Sequence, residues 1–123
     1  MKVAVTAEKK DMDSSPSSVF GRCPYFAIAN TKKEDVKFVE NDARNQRGGA
    51  GTAAAQTVGD EGAEAVVTGK VGPNAFRVLD QLGIDVYEAD LDRSICENVE
   101  MLKDGKLEKV EGATGASGRG RRG

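Results

Sequence analysis

From residue 50 onward, the chain alternates between segments typical of helices and short apolar segments typical of buried strands. An alanine-rich helix is followed by the strand AEAVVTG, a helix beginning at Pro73, the strand IDVYEA and a helix beginning after Ser94. Parallel strands need long crossover connections, and helices of this length supply them. This alternation constrains the fold more than any other feature, because it predicts a three-layer α/β domain with a mostly parallel sheet.

The first part of the chain predicts three further strands. Residues 2–6 alternate apolar and polar side chains, and residues 24–30 and 35–40 are two more β-rich segments. The short polar turn between the last two predicts an antiparallel hairpin, so the sheet should be mixed. Near the C-terminus, the segment KLEKV predicts a short edge strand.

A chain of 123 residues fits a single domain. We place that domain at residues 1–111. Residues 112–123, GATGASGRGRRG, predict a disordered Gly/Arg-rich tail, because they contain no large apolar side chain. Three arginines give the tail a charge of +3, which leaves −5 for the remainder of a chain whose net charge is −2. No segment is apolar enough to span a membrane or to resemble a secretory signal, so we expect a cytoplasmic protein.

The chain contains two cysteines, Cys23 and Cys96, and no histidine. This content excludes a closed structural zinc site, which needs four cysteine or histidine ligands, and it excludes histidine-dependent catalytic triads. An enzyme with Cys23 as nucleophile is a weaker hypothesis, because no standard base is available to activate the thiol. We therefore expect a protein without catalytic residues and with free thiols.

The predicted topology brings several glycine, arginine and aromatic residues to one edge of the sheet. The segment FGRCPYF enters the second strand there, and the GGAG and GPN segments precede helices there. Open α/β sheets bind ligands at this edge, and helix N-termini favour anions. The candidate binding residues are Phe20, Arg22, Cys23, Tyr25, Arg47, Gly48, Gly49, Gly51, Gly72 and Asn74.

Individual roles follow from the chemistry of these side chains. Cys23 would be a soft metal ligand, and Cys96, in the first turn of its helix, is a weaker candidate at the same edge. Arg22 and Arg47 would neutralise negative charge, while aromatic side chains would exclude water. Each group also has a purely structural interpretation. Aromatic residues are most often core, Cys96 is expected to be a buried thiol that packs its helix, and Cys23 fits packing as well as ligation.

In order and spacing, FGRCPYF, GGAG and GPNAFRVLDQLGIDVY resemble the dinitrogenase iron–molybdenum cofactor biosynthesis family, the NifX-like and NafY-core-like domains. The resemblance extends from Met1 to about Val110. It implies a ribonuclease-H-like fold, a five-stranded mixed sheet with one antiparallel strand flanked by helices. Nitrogenase-associated members can use a histidine near the cluster, and in this chain Cys23 is the natural substitute.

For function, the resemblance implies binding, carriage or storage of an anionic metal–sulfur cluster of the iron–sulfur or iron–molybdenum type, without catalysis. The cluster would be held weakly or transiently and exchanged with donor and acceptor proteins. We expect a monomer, with a cluster shared between thiols as a route to a dimer.

The alternative is an interaction module that binds nucleic acid or protein through the ribonuclease-H-like body and the basic tail. Nucleic acid is the less favoured partner, because the tail has no aromatic side chain for base stacking. Salt-dependent RNA binding that is lost on deleting residues 113–123 would identify this function.

Overall fold

The computed structural model describes residues 1–33 and 35–112. The predicted order of strands and helices is confirmed, and a 3₁₀ helix is added between the third strand and the first α-helix. The elements are β1 (Lys2–Ala7), β2 (Tyr25–Asn30), β3 (Asp35–Glu40), the 3₁₀ helix (Asp42–Asn45), α1 (Ala50–Asp60), β4 (Ala65–Thr68), α2 (Pro73–Gln81), β5 (Asp85–Glu88) and α3 (Ile95–Lys103). The predicted disordered tail, residues 112–123, lies outside the described residues except for Gly112.

The five strands form one mixed sheet in the order β3-β2-β1-β4-β5. Only β2 runs opposite to the others, since it pairs antiparallel with both β1 and β3, while β1–β4 and β4–β5 pair in parallel. This confirms the predicted sheet. The segment KLEKV, predicted as a short edge strand, does pair antiparallel with β5, but as an isolated bridge between Lys109 and Tyr87 and not as a full strand. Two backbone hydrogen bonds hold it there, from the Glu88 N–H to the Glu108 carbonyl and from the Val110 N–H to the Val86 carbonyl.

The helices form two layers around the sheet. The residues of α1 and α2 share a core with Phe26, Ile28 and Val66, whereas those of α3 pack with Val3 and Val5 on the opposite face. The crossovers β3-α1-β4 and β4-α2-β5 both advance toward β5, so right-handed connections place both helices on the same face. Helix α3 follows the last strand and covers the face that remains.

Local capping signals fix where α2 and α3 begin. Pro73 occupies the first turn of α2, where its missing N–H costs nothing. Ser94 accepts a hydrogen bond from the Glu97 backbone, and Glu97 accepts one from the Ser94 backbone, which completes the predicted capping box of α3. The longest helix in the described parts of the chain is α1, with 11 residues, and none there could cross a membrane.

Candidate functional site

An open cavity of about 340 Å³ lies at the edge of the sheet where α1 and α2 begin. Its size is at the lower end of the range for small-ligand sites. Three chain segments form it: the loop before β2, the loop before α1 with its first turn, and the turn that joins β4 to α2. The lining residues are Val19, Phe20, Gly21, Arg22, Arg47, Gly48, Gly49, Ala50, Gly51, Thr52, Lys70, Gly72, Pro73, Asn74 and Ala75.

Two helix N-termini face this cavity without a side-chain cap. The residue before α1 is Gly49, with φ of 75°, and the residue before α2 is Gly72. Neither helix has a capping side chain or an acidic residue in its first turn. Backbone N–H groups of a first turn have no partner within the helix, and the helix dipole makes them favour an anion. The two N-termini thus form an electropositive surface suited to a negatively charged ligand.

The N-terminus of α3 differs in each of these respects. Its cap is supplied by Ser94, and Glu97 places an acid in its first turn. Two further N–H groups, those of Ile95 and Cys96, donate to backbone carbonyls of the loop before β2. The backbone N–H groups at the start of α3 therefore already have hydrogen-bond partners within the protein. The sequence placed the start of the Cys96 helix at the same edge as the starts of the other two helices, and the structure leaves only those of α1 and α2 at the cavity.

The loop before β2, α1 and α2 meet at residues with little or no side chain. A Cβ built on Gly21 would lie 2.9 Å from the Gly51 Cα, and one built on Gly51 would lie 3.0 Å from the Ala75 Cβ. Real Cβ atoms do not approach backbone so closely, so a larger residue at Gly21 would push the loop away from α1. Gly21, which was not among the predicted residues, and the predicted Gly51 therefore let three backbones converge, whereas a Cβ on Gly48 or Gly72 would meet nothing within 4 Å.

Three cationic side chains line the cavity: Arg22, Arg47 and Lys70. None of them forms an ion pair within residues 1–33 and 35–112, and no acidic side chain is among the lining residues. Arg22 Nη1 donates to the carbonyl oxygens of Arg44 and Gln46, both at 2.7 Å. These contacts fix the guanidinium without neutralising it. The charge of all three groups is therefore available to a ligand.

Cys23 lies beneath the cavity and does not line it. Its side chain is fully buried in the core cluster shared with α1 and α2. Burial raises the pKa of the Cys23 thiol from 9.0 to about 12, despite hydrogen bonds from the Ala7 backbone and the Asn41 side chain. A metal ligand must be an accessible thiolate, and this thiol is covered and neutral. The geometry therefore argues against the predicted role of Cys23 as the soft ligand.

Of the other predicted residues, eight line the cavity, whereas Tyr25 and Cys96 do not. Phe20, both arginines, the four glycines and Asn74 line the cavity. Tyr25 does not, because side chains alternate along β2: Phe26 faces α1 and α2, whereas Tyr25 packs on the opposite face, with Lys10 over its ring. Cys96 is exposed on α3, so the expectation of a buried thiol is wrong, and the sheet separates it from the cavity.

Sequence reasoning missed seven lining residues: Gly21, Ala50, Thr52, Pro73, Ala75, Val19 and Lys70. Of these, Lys70 adds a positive charge and Val19 an exposed apolar side chain. The two form a parallel bridge outside the named strands, and the Phe20 N–H donates to the Lys70 carbonyl at 2.9 Å. Lys70 follows the end of β4, at the edge where ligands of α/β sheets bind, so its position in the sequence carried a usable signal. Val19 lay in a loop without periodicity and carried none.

Comparison with known proteins gives consistent matches along the chain. Residues 1–105 match the family model described as dinitrogenase iron–molybdenum cofactor. An uncharacterized protein of Methanocaldococcus jannaschii is 38% identical over 114 residues, which cover 90% of this chain and 92% of that protein.

Two solved structures are similar in fold and in sequence. The apo form of the orange protein from Desulfovibrio gigas has a TM-score of 0.89 and 31% identity, covering 92% of this chain and 95% of that one. The NMR structure of a putative NifB protein from Thermotoga has a TM-score of 0.81 and 29% identity, covering 94% and 98%.

Proposed function

This chain belongs to the dinitrogenase iron–molybdenum cofactor family, and from that premise we propose that it binds and carries an anionic metal–sulfur cluster in the cavity between α1 and α2. The observation that carries the proposal is the lining of this cavity. Two uncapped helix N-termini and three cationic side chains surround it, and among the described residues these cations form no ion pair and no acidic side chain lines the cavity. The family supports a metal–sulfur cluster over other anions.

The residues of the cavity favour a cluster that arrives with its own complete set of ligands. The lining includes no cysteine and no carboxylate, and the described residues contain no group of three or more potential metal ligands. Sulfide ligands carry the negative charge of a cluster, and Arg22, Arg47, Lys70 and the amides of the first turns would neutralise it. The apolar side chains of Val19 and Phe20 would limit its contact with water.

Such binding through charge suits carriage more than catalysis. No protein–metal bond has to break on release, so a donor protein can load the cavity and an acceptor protein can empty it. The lining offers the Thr52 hydroxyl and the Lys70 amine as potential nucleophiles, but its described residues include no imidazole, thiol or carboxylate that could activate them. We therefore assign the protein a non-catalytic role as a carrier, acting as a monomer between donor and acceptor proteins.

The test uses tetrathiomolybdate, a soluble thiometalate dianion, added to protein purified without oxygen. Binding is followed by its visible absorption and by calorimetry, with molybdate as an oxygen-ligated control of equal charge. Loss of one cationic partner should weaken binding about tenfold, the usual size for a charged hydrogen bond. We expect this for Arg47→Gln and for Lys70→Gln.

Arg93→Gln is the matched control, because this arginine lies outside the cavity and pairs with Asp90 and Glu97. It should leave tetrathiomolybdate binding unchanged. The cargo is then examined by reconstitution with iron and sulfide, followed by metal and acid-labile sulfide analysis. A protein that takes up neither tetrathiomolybdate nor an iron–sulfur species refutes the proposal, as does binding that Arg47→Gln and Lys70→Gln together leave intact.

A further inference from the structure

A single buried amide, that of Asn41, holds the backbone on both sides of Arg22. Asn41 follows β3 directly and its side chain is 2% exposed. Its Nδ2 donates to the Gly21 carbonyl at 3.0 Å and to the Cys23 carbonyl at 2.9 Å. These are the two residues that flank Arg22 in the chain. The main chain at Arg22 is therefore fixed from beneath the cavity.

Asn41 also begins the segment that binds the guanidinium of Arg22. Asn41 is the N-cap of the 3₁₀ helix, where its Oδ1 accepts from the Ala43 N–H at 3.2 Å. This helix and the residue after it supply the carbonyls of Arg44 and Gln46 that bind Arg22 Nη1. Asn41 thus contacts both the backbone that carries Arg22 and the turn that receives its guanidinium.

Among side chains of this length, only that of asparagine can make all three of these hydrogen bonds. One amide offers an acceptor to the turn and two donors to the loop carbonyls. Aspartate would place an oxygen against two carbonyl oxygens, and an apolar residue would leave buried polar groups without partners. Arg22 has five N–H donors, and the two carbonyls engage only Nη1, so Nη2 and Nε remain for a ligand.

From this geometry we infer that Asn41 is a positioning residue of the cavity, which acts on the ligand through Arg22. The inference rests on the proposed function, because Arg22 must contact the anion for its position to affect binding. A guanidinium held in advance loses little conformational freedom when a ligand arrives. An unheld Arg22 would be a long exposed side chain with many rotamers and a weaker partner.

The decisive variant is Asn41→Ser. Serine is a good N-cap and preserves the start of the 3₁₀ helix, but it lacks the two amide donors. Asn98→Ser is the matched control, because Asn98 is also fully buried and donates to backbone carbonyls, those of Asp90 and Ser94, in the opposite layer. Both variants should lower the melting temperature, but only Asn41→Ser should weaken tetrathiomolybdate binding, by about fivefold to tenfold.

A double-mutant cycle separates positioning from a general structural effect. In an Arg22→Gln background, adding Asn41→Ser should change affinity by less than about twofold, because the group that Asn41 positions is already gone. In a Lys70→Gln background, the full loss should persist. Equal losses in both backgrounds, or no loss from Asn41→Ser alone, would overturn the inference while leaving the proposed function in place.

A measurement without ligand tests positioning even if tetrathiomolybdate does not bind. In wild-type protein, the held Arg22 guanidinium should give resolved Nη proton resonances, assigned by their absence in Arg22→Gln. They should persist in Asn98→Ser and collapse in Asn41→Ser. If Asn41→Ser does not fold, Asn41→Thr replaces it, because threonine also supplies an N-cap oxygen, lacks the amide donors and fills more of the space. Resonances that survive loss of the amide donors refute the inference, whereas failure of wild-type protein to bind refutes only the proposed function.

Discussion

Replacing Cys23 with alanine tests whether its thiol serves packing or metal binding. The substitution removes one sulfur atom from a side chain that is 0% exposed. Deleting a single buried methyl group typically costs about 1 kcal/mol, and a sulfur atom should cost a similar amount near neutral pH. Because Cys23 does not line the cavity, we expect Cys23→Ala to retain tetrathiomolybdate binding while losing this stability.

The difference in free energy of unfolding between wild type and Cys23→Ala should depend on pH, because only wild type carries the buried thiol. Burial raises the pKa of Cys23 from 9.0 to about 12, so the unfolded chain releases the proton at lower pH than the folded protein. The stabilising contribution of the neutral thiol is complete below pH 9 and is lost as pH rises toward 12. At pH 10, the loss amounts to about 1.4 kcal/mol. It should therefore offset the packing advantage of wild type over Cys23→Ala.

Urea unfolding at pH 8 and pH 10, under a reductant, measures this crossover. Lysine and tyrosine groups titrate in the same range but are common to both proteins, so they cancel in the comparison. Cys96→Ala removes the exposed thiol instead and should keep the wild-type dependence. The reasoning is refuted if Cys23→Ala loses as much stability between the two pH values as wild type. A folded Cys23→Ala that no longer binds tetrathiomolybdate would restore the thiol as ligand.

Two further substitutions test the construction of the site and its separation from the other layer. Gly21→Ala should destabilise by about 1–3 kcal/mol and weaken tetrathiomolybdate binding, because its Cβ would lie 2.9 Å from the Gly51 backbone. Gly72→Ala, whose Cβ would meet nothing within 4 Å, is its control in chemical denaturation, and equal stabilities would contradict the close-approach argument. Ser94→Ala should lower stability by about 1 kcal/mol through loss of the cap of α3. Calorimetry should show its ligand affinity unchanged, and a changed affinity would mean that the two layers are coupled.

The fold was largely predictable because its signals are local and mutually consistent. Strand alternation, Pro73 at the start of α2 and the Ser94–Glu97 capping box each act within a few residues, and the structure confirms the elements they predicted. The family resemblance read from the same segments is confirmed as well. KLEKV pairs with β5 through a single bridge and does not extend into a strand. The length of a strand depends on how much of a neighbouring edge it meets, which its own residues do not encode.

The site was predictable in outline, since most of the predicted residues line the cavity. Tyr25 and Phe26 had to lie on opposite faces, but alternation alone cannot say which face carries the cavity. The neutral state of Cys23 is set by its burial in the core that it shares with α1 and α2, and Asn41, 18 residues further along the chain, holds the Cys23 carbonyl there. No pattern around FGRCPYF indicates that partner.

By itself, the sequence determined the order of the strands and α-helices, the glycine-rich segments that precede α1 and α2, and the two arginines expected near them. Propensity, capping and charge are properties of neighbouring residues, so they can be read from the chain directly. Only the tertiary structure decided which helix starts share a cavity. Two right-handed crossovers in the same direction place α1 and α2 on one face and leave the other to α3, and that placement exists only once the strands have paired.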